Sequence, residues 1–285
     1  MTAEYATWSS TDFPYMCLKD RKRTEAFRDA IQKAVEPNDL VLELGAGTGI
    51  LSFFAAAAGA SHVVAVEIDP LLADALRRSA EANGFSGIVE VVEGDALTVP
   101  LPRGADVVIA EMIETALIDE MQVPALNRLH ADGITTSDTT VIPSHYTTSA
   151  QLVSTSFDYY GITILAPKHL WPFYDDESWH PTETLPASDS VVVFEEDFAM
   201  GPLRTSVEEN LHFARVPSGG ANALRLHGTI SLVGDICLGA TNALNGDKVL
   251  PLDQPVFPDA HGGVALRVRW ERGAGMHTFK AEVID

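Results

Sequence analysis

Among 285 residues there are only two cysteines, Cys17 and Cys237. Two cannot build a disulfide framework or a cysteine zinc cluster, which fits a reducing compartment, so a cytoplasmic location is expected. Basic residues are also scarce: 19 Lys and Arg stand against 40 Asp and Glu, a formal net charge of -21. A field of that sign repels a phosphate backbone, so nucleic acid is not an expected partner. It favours a cationic ligand weakly, and it serves solubility equally well. Long hydrophobic runs are missing. The most apolar stretch, residues 50–66, is interrupted by Gly59-Ala60-Ser61-His62 and is too broken to cross a bilayer, so no membrane partner is expected. Residues 1–10 hold no basic segment followed by an apolar run, and no signal peptide is expected. No internal repeat or low-complexity tract appears. The nine histidines show no metal-ligand spacing, and no metal is expected. What is present is an ordinary globular composition, 46% hydrophobic and 21% charged, with length for one large domain or two.

From Leu40 onward strands and helices alternate. Leu40-Val41-Leu42-Glu43-Leu44 reads as a short strand, and residues 50–59 as a helix closed by glycine. Residues 63–66 form a second strand. Asp69-Pro70 opens a helix, Asp as cap and Pro in the first turn, and Asn83-Gly84 ends it. Residues 88–92 and 106–110 are further strands. Val107-Val108-Ile109 is apolar throughout, as in a strand buried on both faces of a parallel sheet. The pattern predicts a doubly wound, Rossmann-like α/β domain. After Ile142-Pro143 helical periodicity fades. Runs rich in β-branched residues at 147–154, 190–194, 224–232, 264–270 and 279–284 predict a mostly antiparallel β-barrel or sandwich. The domain limits expected are 1–35 for an N-terminal helical segment, 36–143 for the α/β domain and 144–285 for the β domain, with an aromatic-rich excursion near 160–186.

Gly45-Ala46-Gly47-Thr48-Gly49 follows the first strand and precedes a helix. Glycines there let the backbone turn sharply and approach a ligand at a helix N-terminus. Glu67 ends the second strand, 18 residues beyond Gly49, where an acid can accept both hydroxyls of a ribose. The loop lacks the Gly-x-Gly-x-x-Gly spacing that suits a pyrophosphate, and it has no P-loop lysine. Glu43, two residues before the loop, would oppose a pyrophosphate but help hold an ammonium. Asp95 and Ala96, after the third strand, are placed for an adenine. These acids suit S-adenosylmethionine, with its sulfonium, ammonium and adenine, better than a dinucleotide.

The run Val41-Leu42-Glu43-Leu44-Gly45-Ala46-Gly47-Thr48-Gly49-Ile50-Leu51-Ser52 resembles the first motif of class I methyltransferases, and of protein arginine methyltransferases in particular. Leu18-Lys19-Asp20-Arg21-Lys22-Arg23-Thr24 resembles that family's N-terminal helix, which implies that Arg23 clamps the cofactor carboxylate. Tyr5-Ala6-Thr7-Trp8 is similar to its aromatic stretch over the cofactor, which implies a lid containing Trp8. Glu111 and Glu120, nine residues apart, match the two glutamates that grip a guanidinium in that family. A planar cation with several donors is best held by two carboxylates. The pair also draws positive charge from the attacking nitrogen, so position and charge placement carry the catalysis. Glu114 lies in the same loop, and the resemblance does not select it. The resemblance implies a methyltransferase using S-adenosylmethionine and releasing S-adenosylhomocysteine. It implies a cofactor site of Trp8, Arg23, Glu43, Gly45, Gly47, Gly49, Glu67, Asp95, Ala96 and Glu111, catalysis by Glu111 and Glu120, and a homodimer formed through an arm at 160–186.

The chain departs from that pattern at the acceptor rim. Met112 stands where the family has Trp, and Cys17 and Gln122 where some members have methionines. Ala243-Leu244-Asn245-Gly246-Asp247 replaces a Thr-His-Trp loop. A changed rim on a retained cofactor site points to a different acceptor: free arginine, another guanidino or amino metabolite, or a biosynthetic intermediate. A true protein arginine methyltransferase is the nearest competing reading. An O-methyltransferase of a small natural product would need a base such as His145, beside Tyr146. A non-catalytic cofactor-binding subunit and a dehydrogenase stand further off. Trp171, Phe173, Tyr174 and Trp179 read equally as a dimer contact or a small core.

Overall fold

The protein is described by a computed structural model covering residues 12–175, 180 and 183–284. Trp8, the rest of the expected lid, and Trp179 lie outside those residues.

Five parallel strands form the first sheet: β1 (Leu40–Leu44), β2 (His62–Glu67), β3 (Val89–Glu93), β4 (Val107–Ala110) and β5 (Thr140–Ile142), in the order β3-β2-β1-β4-β5. β1 and β4 are adjacent at the point where strand order reverses, so a crevice opens beyond their C-terminal ends. Helices α1 (Phe13–Lys19) and α2 (Arg21–Ala34) precede the sheet. α2 turns Arg23, Phe27, Ala30 and Ile31 inward, an i, i+4, i+7, i+8 stripe. α3 (Ile50–Ala58) follows β1, and α4 (Pro70–Ala82) is capped by Asp69, whose carboxylate accepts the Leu71 and Leu72 N–H groups.

The helix after β4, α5 (Gln122–Ala131), starts only behind a 3-10 turn at Thr115–Leu117. Ala116 and Leu117 both carry left-handed backbones, φ 67° and 57°. Such a conformation is costly for residues with a Cβ, and it stops the helix from extending backward.

The second half is antiparallel. β6 (His145–Thr155) pairs with Thr184–Pro186, Val191–Asp197 and Ala221–Ser231, and the sheet continues through Asp247–Val256 to Lys168–Leu170. A three-stranded sheet of Ser206–Phe213, Val264–Glu271 and Lys280–Val283 faces it. Phe194 of the larger sheet meets Trp270 of the smaller at 6.0 Å between ring centroids, closing a barrel-like core. The aromatic excursion is partly woven into this sheet: residues 168–170 and 184–186 are strands within it, and 158–163 form a separate two-stranded hairpin.

Candidate active site

A cavity of about 880 Å³ opens at the C-terminal ends of β1, β2 and β4. Its cofactor-side wall begins with the turn after β1. Gly45, Gly47 and Gly49 all have positive φ. A methyl group at Gly45 would lie 2.9 Å from the Met112 side chain, and one at Gly49 would lie 2.6 Å from Leu76. The turn therefore needs glycine for both conformation and packing. Gly49 caps α3 and does not line the cavity. Glu67 accepts the Gly47 N–H at 2.6 Å through one oxygen and the Asp69 N–H at 2.8 Å through the other. It thus ties the glycine turn to the end of β2, and its remaining lone pairs are available to hydroxyl donors. Asp95 accepts the Leu97 N–H at 2.8 Å, and Asp95 and Ala96 line the same wall.

Glu43 is buried in β1, hydrogen-bonded by the Ser52 hydroxyl. Burial raises its carboxyl to about 8, against the pull of Ser52. Arg23 is fixed by α2, whose cap Asp20 accepts the Arg23 N–H at 3.1 Å. The expected role of Arg23 at a cofactor carboxylate needs an addition. In this structure its guanidinium is buried in an ion pair with Glu111, Nε lying 3.0 Å from Oε2, and it stacks over Phe27. Two groups assigned to opposite ligands are therefore partners of one another.

The opposite wall is the loop from Glu111 to Glu120, expected from sequence to be the acceptor side, and the barrel braces it. Tyr146 accepts the Ala116 N–H at 2.9 Å and donates to Asn245 Oδ1 at 3.0 Å. Trp270 Nε1–H donates to the Ala116 carbonyl at 3.1 Å, and Thr115 donates to the Gly246 carbonyl at 2.6 Å. The N–H groups of Gly273 and Gly275 reach Leu117 and Ile118. The Met276 N–H reaches Asp119 Oδ1 at 3.0 Å. At the other end, Gln122 accepts the Met112 N–H at 3.1 Å. With this bracing, Glu111 and Glu120 line one cavity with the cofactor-side acids. Burial, then Glu111 and Glu114, push the Glu120 carboxyl up to about 8.

Several residues here were not selected from sequence. Glu114, Asp119 and His169 line the cavity, and Lys248 reaches in from the barrel to bond both Glu114 and Asp119 at 2.5 Å. His169 Nε2–H donates to the Gly246 carbonyl at 3.0 Å, and its ring packs on Trp171 at 4.4 Å. Phe13, which also lines the cavity, reaches Trp171 in turn, at 6.4 Å. Burial and Lys248 lower His169 to about 4, so it is neutral near pH 7. The 243–247 loop has no His or Trp of its own, but His169 and Trp171 pack on it from a neighbouring strand. Their signal was a His-x-Trp run in a segment read as an arm or small core. Trp171 and Phe173 are stacked on one another within the chain. His145 and Tyr146 do not face the cavity: His145 is exposed beside Asp197, and Tyr146 is a buried brace. Cys17 lines the cavity with its thiol pushed up to about 12 by burial, so it is no nucleophile. Among the described residues no group of side chains could hold a metal ion, and no helix is long and apolar enough to cross a membrane.

Comparison with known proteins followed this geometry. The family model for the ribosomal protein L11 methyltransferase matches residues 22–150. An uncharacterized protein of Methanocaldococcus jannaschii is 32% identical over 271 residues, 94% of this chain and 95% of the relative. An arginine N(omega)-methyltransferase of Streptomyces achromogenes is 26% identical, over 90% of this chain and 75% of its own length. Among solved structures, the Trypanosoma brucei PRMT1 enzyme-prozyme complex with AdoHcy aligns with a TM-score of 0.71 at 19% identity. It covers 95% of this chain and 96% of that one, and shows a shared fold.

Proposed function

Because the chain belongs to one family with the M. jannaschii protein, and is a class I S-adenosylmethionine-dependent methyltransferase resembling the protein arginine methyltransferases, we propose that it methylates a guanidino or amine nitrogen, of a small molecule in the first reading and of protein arginine in the competing one. The observation that carries this reading is the meeting of Glu111 and Glu120 with the cofactor-side acids in one cavity. The name of the Streptomyces relative, an arginine N(omega)-methyltransferase, supports the acceptor class.

The residues present fit the cofactor. Glu67 keeps lone pairs for ribose hydroxyls, Asp95 and Ala96 flank a place for adenine, and Arg23 and Glu43 line the cavity where an amino-acid tail would lie. Bound there, S-adenosylmethionine supplies an electrophilic methyl group. Glu111 and Glu120 hold the acceptor cation by forked, charge-assisted hydrogen bonds. They draw positive charge toward the groups they hold, leaving a lone pair on the nitrogen that takes the methyl and then loses a proton. Their preset positions supply the orientation. Phe13, backed by Trp171, and Met112 give the cavity an apolar lining that strengthens these electrostatic effects.

Glu111→Gln and Glu120→Gln should each lower turnover by about a hundredfold to a thousandfold. Calorimetric affinity of Glu120→Gln for S-adenosylhomocysteine should stay within about threefold of the original. Unchanged turnover would remove the pair from the chemistry. His145, the base named for the O-methyl reading, is exposed and off the cavity.

We also propose a homodimer. The 158–163 hairpin and the residues after it expose Tyr160, Ile162 and Leu165, and Ile68 and Leu71 are exposed beside the cofactor side. Pairing of these patches between two copies would bury both. Light scattering should give a dimer mass, and Leu165→Lys with Ile162→Lys should give monomers. A dimer unaffected by these changes would place the interface elsewhere.

A further inference from the structure

Glu114 is an acid in the site with one oxygen left unused. It sits three residues after Glu111, is 9% exposed, and lines the cavity. Its Oε2 is bonded by Lys248, but its Oε1 is buried without any hydrogen-bond partner among the described residues. His169 Nε2 is 3.8 Å away and spends its proton on the Gly246 carbonyl. An unpaired buried carboxylate oxygen costs free energy unless a donor reaches it. Burial raises the Glu114 carboxyl to about 8, against the pull of Lys248, so a further cation beside it would favour its ionised form. Glu114 lines the cavity, so a donor bound there can reach this oxygen.

We infer that Glu114 is a specificity-determining residue, whose free Oε1 receives a second cationic N–H group of the methyl acceptor while Glu111 and Glu120 hold the nitrogen to be methylated. This rests on the function proposed above and narrows it. The acceptor is a small dication-like compound, a guanidino or amino group at one end and an ammonium or amidinium a short chain away. Lys248 then acts as a positioning residue: it holds Oε2 and so turns Oε1 toward the cavity. A purely structural role for Glu114, as an anchor for Lys248, makes the opposite demand, since either acceptor would then be treated alike.

The test uses a matched pair of acceptors, 4-aminobutylguanidine and butylguanidine, which differ only in the terminal ammonium. The full-length protein saturated with S-adenosylhomocysteine should bind the first about tenfold to a hundredfold more tightly by calorimetry, the range expected for one charge-assisted hydrogen bond. In the methyl-transfer assay the difference should appear in KM and little in kcat. Glu114→Gln, which keeps the shape, should bring the two acceptors to near equality by weakening only the first, with cofactor affinity unchanged. Equal binding of the pair by the unsubstituted protein overturns the inference, whether or not the variant folds. Equal discrimination by Glu114→Gln and the original also overturns it. If neither acceptor binds and no amine or guanidine is methylated while Glu120→Gln changes nothing, the broader functional reading fails, and that outcome is distinct from the first two.

Discussion

On the cofactor side of the cavity the groups that matter lie close together along the chain. Glu43, the glycine turn and Ser52 fall within ten residues, and Glu67 reaches back to Gly47 across 20. On the acceptor side the loop from Glu111 to Glu120 is held by Tyr146, Lys248, Trp270 and Met276, between 30 and 157 positions away. The first half of the site is a local motif set into a parallel sheet. The second is a strained turn, with two left-handed residues, that keeps its shape because a separate β structure satisfies its backbone. The two halves should therefore respond differently to substitution.

The largest effect is expected at the motif. Gly49→Ala would add a methyl group 2.6 Å from Leu76 at a φ of 78°, combining overpacking with a disfavoured backbone. A loss of about 2–4 kcal/mol in stability follows, read by denaturant titration, together with loss of S-adenosylhomocysteine binding. Gly47→Ala, with φ 55° and no close neighbour, should cost only about 1–2 kcal/mol. Similar losses at the two positions would show that packing against Leu76 does not matter.

A smaller and one-sided effect is expected from the brace. Tyr146→Phe leaves the ring and removes the hydroxyl that accepts the Ala116 N–H. An unsatisfied buried N–H costs about 1–3 kcal/mol. Acceptor kcat/KM should fall about tenfold or more, while cofactor affinity measured by calorimetry stays within about twofold. Equal loss on both sides would erase the distinction between the halves.

The smallest effect concerns pH. Glu120 has a folded-state pKa raised from 4.5 to about 8, by burial and then by Glu111 and Glu114. The folded protein therefore holds this proton more tightly than the unfolded chain. The stability so gained is full below about pH 4.5 and is lost as pH rises toward 8. Above pH 8, Glu120→Gln should melt a few degrees higher than the original, and below pH 4.5 the two should converge. Acceptor binding, which needs the carboxylate, should strengthen as pH rises through about 8. A melting difference independent of pH would contradict the burial of this charge.

The same contrast explains what was legible. The order of strand, glycine turn and helix, and the places of Glu43, Glu67 and Asp95, were readable because each is set by neighbours a few residues off. Glu111 was readable because it ends β4, where an α/β crevice lies. The late start of α5 was not, since the left-handed Ala116 and Leu117 are imposed by Tyr146 and Trp270 from the barrel. His169, Trp171 and Lys248 were missed for the same reason. Only the pairing of Lys168–Leu170 with Asp247–Val256 brings them to Glu114. Arg23 was found, but its pairing with Glu111 was not, because no local pattern joins residues 88 positions apart.

The central claim is that a local cofactor motif and a barrel-built acceptor loop together methylate a small nitrogenous compound. The measurement that tests it most directly is methyl transfer from isotope-labelled S-adenosylmethionine into a cell extract split into small metabolites and macromolecules, read by mass spectrometry. Free arginine and an arginine peptide run alongside, and Glu120→Gln serves as control. The account predicts label on nitrogen in a small guanidino or amino compound, absent with the variant. Label confined to protein, or found on oxygen, would contradict it.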